Sequence, residues 1–219
     1  MLPDFPVGAL SSGTADAREV AKFEAVDWTN PQSASGAGPL HALNPMRVAY
    51  VRERLGGDLT GLKILDAGCG GGLLAEALAG LGARGVAVDA AAGAAGAAEA
   101  RADRGPAPPA YKTRLATPEA LVAEASGTFD AVCAFEVIEH VADPPAFAAA
   151  LAALARPGGD AFLSTLSRTP LAFALAVHYC PRLGPRLPQR AWLGNGDVRA
   201  AVNYIFHARR SGGDAPWGN

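Results

Sequence analysis

The stretch that decides the fold is Leu62–Gly72, LKILDAGCGGG, with its continuation into Leu73–Leu81. LKILDA is a short run of the kind that forms a buried strand, and LLAEALAGL is an amphipathic helix of about two turns. Between them Gly68, Gly70, Gly71 and Gly72 let the chain turn sharply and let a ligand approach the backbone. A strand that passes through glycines into a helix presents unpaired N–H groups to an anionic group. Working outward, the alternation repeats. GVAVD (85–89), the weak run 110–113, FDAVCAF (129–135) and GDAFLST (159–165) read as strands. Residues 15–26, 41–55, 90–104, 118–125 and 143–155 read as helices, with Asn44-Pro45 expected in the first turn of the second. Strand–helix alternation over five strands predicts a doubly wound, mainly parallel α/β sheet. Ala200–His207 is expected to close it as an antiparallel C-terminal strand.

The bulk properties agree with one enzyme-sized domain. The chain has 219 residues, a formal charge of −2 and a 50% hydrophobic share. That balance excludes a strongly basic nucleic-acid binder. Cysteines at 69, 133 and 180 are too scattered for a disulfide framework or a zinc pattern. The apolar runs 146–155 and 171–180 are about half the length a spanning helix needs. The first twenty residues carry neither a signal-peptide pattern nor the Arg-rich character of a transit peptide. The expected organisation is an arm and short helix over 1–40, a domain over 41–209 and a tail over 210–219.

The glycine loop does not carry a dinucleotide fingerprint, because the third glycine of G-x-G-x-x-G would fall on Leu73. Its spacing, D-x-G-x-G-x-G from Asp66 to Gly72, resembles motif I of class I S-adenosylmethionine-dependent methyltransferases. Asp89 ends the second strand, 21 residues beyond Gly68, where a carboxylate can accept hydrogen bonds from both ribose hydroxyls. The plainer reading is a glycine-rich turn beside a strand-end aspartate.

The fourth strand runs into Glu136-Val137-Ile138-Glu139-His140. If this segment is helical, Glu136, Glu139 and His140 stand at i, i+3 and i+4 on one face. They then suit a divalent cation, or His140 serves as a general base. A polar helix start accounts equally well for the pattern.

LHALNPMR (40–47), GLKILDAGCGGGLLAEALA (61–79), FDAVCAFEVIEHVADP (129–144) and RPGGDAFLSTLSR (156–168) together resemble the ubiquinone-pathway O-methyltransferases. These enzymes methylate polyprenylated catechols. The resemblance implies that Arg47, Asp66, Gly68, Gly70, Asp89 and Phe135 meet S-adenosylmethionine. It implies a magnesium ion (Mg2+) on Glu136, Glu139 and His140, and His140 as the catalytic base if no metal is used. It also implies a polyprenylated catechol acceptor, peripheral membrane contact and a quinone-biosynthesis complex as partner. The location it implies is the matrix side of the mitochondrial inner membrane, or the cytoplasmic face of a bacterial membrane.

After Arg168 the resemblance lapses, and it resumes at VRAAVNYIFHAR (198–209). The family's Gly-Thr-His stretch between these points does not occur. The prolines at 181, 185 and 188 make residues 181–197 an expected irregular segment, and leave only 178–180 or 191–193 for a further strand. An open acceptor pocket follows from this. So does an alternative function, as a catalytically impaired, cofactor-binding member of an assembly. A methyltransferase with another small acceptor is the third reading.

Overall fold

The structure is a computed structural model that describes residues 13–30, 37–104, 110–166 and 203–211. Thirteen elements follow one another. Helix α1 (Ala17–Glu24) and helix α2 (Ala37–Arg54) precede strand β1 (Lys63–Ala67). Then come α3 (Leu73–Gly80), β2 (Arg84–Asp89), α4 (Ala92–Ala102), β3 (Tyr111–Leu115), α5 (Pro118–Ala125) and β4 (Phe129–Phe135). A single 3-10 turn (Ile138–His140), α6 (Pro144–Leu154), β5 (Ala155–Leu166) and β6 (Asn203–Arg209) complete the order.

The sheet runs β3-β2-β1-β4-β5-β6. Its first five strands are parallel, and β6 lies antiparallel on β5 from Asp160↔Arg209 to Leu166↔Asn203. This is the expected doubly wound α/β fold with an antiparallel C-terminal strand. The chain order reverses direction at β1 and β4, and a parallel sheet opens its ligand crevice at the carboxyl ends of such neighbours.

Local chemistry accounts for the helix starts. Thr117 caps α5 by accepting from the Ala120 N–H, and Pro118 fills the first position, where no N–H is needed. Asp143 caps α6 through the Ala146 N–H at 3.0 Å, again with prolines in the first turn. Both faces of the sheet are covered. Leu65, Val88, Val132, Phe147 and Leu151 centre one core cluster, and Ile64, Leu78, Cys133 and Phe162 the other. The high alanine content goes into close packing: α4 buries Ala94, Ala95, Ala98 and Ala102, and a methyl on Gly72 would stand 3.0 Å from the Ala98 Cβ.

Three expectations need correction. Helix α2 begins at Ala37, so Pro45 lies inside the helix rather than in its first turn. The Asn44 Nδ2 beside it donates to the Leu73 carbonyl at 2.8 Å, tying α2 to the start of α3. Strand β5 begins at Ala155, four residues before Gly159, because Ala155 pairs with Phe129 across a register irregularity in β4. The segment after β4 is not a continuous helix. Glu136 has φ +58, which takes it out of the following 3-10 turn. The expected irregular stretch 181–197, the further strand and residues 200–202 lie outside the described residues, and β6 covers 203–209, running two residues past the expected end at His207.

Candidate functional site

A cavity of about 320 Å3 opens at the carboxyl edge of β1, β2, β3 and β4. It gathers Arg47, Asp66, Gly68, Gly70, Asp89, Phe135, Glu136, Glu139 and His140, the whole set singled out in the sequence.

The loop after β1 is fixed by its backbone. Gly68, Gly70 and Gly72 have φ of +72, +51 and +77, conformations that side chains rarely adopt. The Gly68 and Cys69 N–H groups both donate to the Val88 carbonyl, at 2.8 and 2.9 Å. Neighbours also require the glycines. A Cβ on Gly68 would stand 2.4 Å from Val137, and one on Gly70 would stand 2.5 Å from the Trp28 ring. Trp28 therefore occupies the face of Gly70 that the sequence reading reserves for a ligand. Cys69 is buried and its thiol is pushed well above its ordinary pKa, which makes it a small packing residue of the turn.

Asp89 braces this loop. Its carboxylate accepts from the Gly70 N–H and the Ala91 N–H, each at 2.9 Å. Burial raises its pKa against those two bonds. Each carboxylate oxygen has a second lone pair, so ribose hydroxyls can still be accepted.

Arg47 and Asp66 carry opposite unspent groups. Arg47 is 8% exposed and its guanidinium lies 5.5 Å above the Phe135 ring. Its Nη2 stands 3.4 Å from Glu136 Oε1 as an ion pair, yet has no hydrogen-bond partner among the described residues. The distance satisfies attraction between charges while the angle fails hydrogen bonding, so the donor is paired in charge but not in geometry. Asp66 is buried and its pKa is pushed up to about 7 by desolvation, against the Ala75 N–H and Arg47. Its Oδ2 also lacks a hydrogen-bond partner among the described residues. A buried cationic donor and a buried carboxylate oxygen suit the carboxylate and ammonium of an amino acid.

The acidic cluster is arranged differently from the helical expectation. Glu136 Oε1 accepts from Ser164 Oγ at 2.5 Å, and the Glu136 N–H donates to the Ser164 carbonyl at 3.0 Å. Those bonds hold its left-handed backbone, a conformation costing about 1 kcal/mol or more outside glycine. Glu139 is half-buried, and burial raises its pKa. His140 Nδ1 lies 3.0 Å from Glu19 Oε2 on α1, with the Phe23 ring edge-on at 4.9 Å. Glu136, Glu139 and His140 thus do not turn together on one helix face. No group of three metal-ligating side chains forms among the described residues. As placed, the three residues do not fit magnesium, because Arg47 and Ser164 engage Glu136 while Glu19 engages His140.

Ser164, Glu19 and Trp28 were not singled out by the sequence. Ser164 sits in the STLSR stretch, and the register Phe135↔Ser164 brings it beside the cluster. Glu19 and Trp28 left no sequence signal, since both arrive from an N-terminal segment far away in the chain.

With this geometry in view, residues 42–208 match the family model described as a methyltransferase domain. The structure superposes on the magnesium protoporphyrin IX methyltransferase (ChlM) of Synechocystis PCC 6803 with bound SAH, at a TM-score of 0.57 and 22% identity. That match covers 89% of this chain and 94% of the other. The same enzyme with bound SAM gives 0.53 at 23% identity, covering 72% and 74%. Fold and site define a class I S-adenosylmethionine-dependent methyltransferase.

Sequence relatives narrow the class. The ubiquinone biosynthesis O-methyltransferase of Xanthomonas oryzae pv. oryzae is 46% identical over 208 residues, covering 86% of this chain and 83% of that protein. The protein of the same name from Xanthomonas euvesicatoria pv. vesicatoria is 46% identical over 176 residues, covering 77% and 70%. The chain belongs to the ubiquinone biosynthesis O-methyltransferase family.

Proposed function

We propose that the chain moves the methyl group of S-adenosylmethionine to a phenolic oxygen of a polyprenylated catechol in ubiquinone biosynthesis. The bond from sulfur to methyl breaks as the bond from oxygen to methyl forms. The sulfonium leaves as a thioether, and the phenolic proton passes to a base. Placing the oxygen opposite the departing sulfur supplies most of the rate.

The observation that carries the cofactor half is the pair of unspent groups. Arg47 Nη2 takes the methionine carboxylate and Asp66 Oδ2 takes its ammonium. Asp89 takes the ribose, and the sharp turn that Gly68 and Gly70 make possible sets the loop beside it. Phe135 forms the wall under Arg47. His140 is the base: with Nδ1 donating to Glu19, Nε2 is left to accept a proton. Isothermal titration with S-adenosylhomocysteine, beside methyl transfer to a soluble catechol, tests both halves. Binding with no transfer would favour the second reading, a cofactor-binding member of a quinone-biosynthesis complex.

Magnesium is the finer expectation. Glu136, Glu139 and His140 would hold it only after Glu136 releases Arg47 and Ser164 and His140 releases Glu19. No step above runs through a metal. Chelation by EDTA is expected to leave cofactor affinity unchanged, and loss of transfer on chelation would bring the metal back.

The prenyl tail of the acceptor places the enzyme at a membrane surface as a peripheral protein. Among the described residues no helix is long and apolar enough to cross one. The family resemblance supports the mitochondrial matrix face, and the Xanthomonas relatives support the cytoplasmic face of a bacterial membrane. Co-sedimentation with vesicles containing a prenylated catechol tests the membrane contact.

A further inference from the structure

One short N-terminal segment touches the loops that follow β1, β2, β3 and β4. We propose that residues 14–28 are a movable cover on the cofactor pocket, and that Glu24 latches it. This rests on the cofactor reading above.

Glu24 makes the firmest of these contacts. Its Oε1 accepts from the Ala92 N–H and its Oε2 from the Gly93 N–H, both at 2.7 Å. That seats the end of α1 on the start of α4, three residues beyond Asp89. Trp28 is 8% exposed and lies against Gly70 and Gly71. At the other end of the segment the Thr14 hydroxyl donates to Glu119 Oε1 at 2.6 Å, and the Thr14 carbonyl accepts from the Ala142 N–H at 2.8 Å.

Between these anchors the helix is held by Glu19 against His140 Nδ1 at 3.0 Å and by Val20 and Phe23 packing on the small cluster of Trp28, Ala37, Ala91 and Ala94. The helix is eight residues long, and none of its side chains is fully buried. A helix that short is unstable alone in water. Its partly buried apolar residues, Val20 and Phe23, line the cavity. The cover is thus tied down by a few polar contacts and one small apolar cluster, and its underside faces space that a ligand would fill. Segments with few buried contacts and exposed hydrogen bonds open at low cost. A cofactor lying under α1 packs against Val20 and Phe23, so filling the pocket also holds the cover down.

A fixed wall and a cover differ in kinetics. Removing a contact from a fixed wall speeds release alone. Unlatching a cover speeds both entry and release, because the cofactor passes the same segment each way. The test is stopped-flow binding of S-adenosylhomocysteine, followed by indole fluorescence, in wild type, Glu24→Gln and Glu24→Ala. Circular dichroism confirms the fold of each. Association and dissociation are both expected to accelerate in Glu24→Ala by about tenfold, the scale of one charge-assisted hydrogen bond. Glu24→Gln, which keeps one acceptor oxygen, should fall between. Hydrogen exchange across 14–28 is expected to slow when ligand binds. Folded variants with unchanged rates, or with only the dissociation rate raised, would overturn the cover and leave the cofactor reading standing. Failure of wild type to bind the ligand at all would overturn the cofactor reading, and the cover with it.

Discussion

The loop after β1 and the loop after β4 stand side by side at the carboxyl edge of the sheet, and they are held by different means. Residues 68–72 are shaped mainly by positive φ values and hydrogen bonds between main-chain groups, with Asp89 as the bracing side chain described above. Residues 136–140 are shaped by side chains that reach to Ser164, Arg47 and Glu19. The two interlock where Val137 fills the space a Gly68 side chain would need. A backbone-built loop tolerates no added atoms but needs few partners. A side-chain-built loop tolerates local change but depends on distant residues.

The largest expected effect tests the first loop. Gly70→Val forces a branched residue to φ +51 and into Trp28. Strain and overpacking together come to about 3 kcal/mol or more, roughly a hundredfold in cofactor affinity. Titration and circular dichroism together should show lost binding in a folded protein. Adding Trp28→Ala should recover the part due to collision and leave the part due to backbone strain. A folded Gly70→Val protein with wild-type affinity would break the comparison.

Asp89→Ala comes next. It removes the brace on the Gly70 and Ala91 N–H groups as well as the ribose acceptor. A loss of about 1.5–3 kcal/mol is expected, roughly ten- to a hundredfold in the dissociation constant by calorimetry.

The third concerns pH. Asp66 has a pKa of about 7 in the folded protein, against roughly 3.9 in an unfolded chain. The folded state therefore keeps a proton that the unfolded state has lost. This group's contribution to stability is full below pH 4 and is lost as pH rises to 7. Cofactor binding should run the other way, because an ammonium partner favours the ionised carboxylate. Affinity for S-adenosylhomocysteine is expected to rise between pH 6 and 8, and Asp66→Asn should flatten both profiles. Denaturant melts and titrations over that range check the two slopes.

The smallest effect is a control away from both loops. Asp143→Ala removes the cap of α6 and should cost about 1 kcal/mol of stability, with cofactor affinity unchanged.

The same contrast explains what could be read before the structure. Strand β1, the glycine spacing and Asp89 lie within 27 residues, Lys63 to Asp89, and local backbone rules connect them. The sheet and the cofactor end of the pocket were legible for that reason. The roles of Glu136 and His140 were not, because their partners sit 28 and 121 positions away in the chain. Spacing within EVIEH assumes a helix, and the helix fails at Glu136, where pairing with β5 wins over local propensity. Pro45 was misplaced for a related reason. A proline near a helix start is the safe reading, but α2 is tied at Asn44 to another element and continues past it.

The junction of β5 with β6 has a consequence for how the protein is made. Asp160 is only 6% exposed, and its carboxylate is met by His207 at 2.8 Å and Arg209 at 3.1 Å, both from β6. During synthesis Asp160 leaves the ribosome more than forty residues before those partners. Until they arrive, the seven residues of β5 that β6 pairs with, 160–166, present an open edge beside a carboxylate without those partners. An open edge of that length can recruit another nascent chain. A buried charge without partners weakens collapse around it. Burial of the edge is thus expected to wait until β6 brings Arg209 and His207 to Asp160. A chain stopped short of residue 203 would be expected to accumulate as aggregate, and Asp160→Asn should let the shortened chain collapse sooner without restoring the sheet.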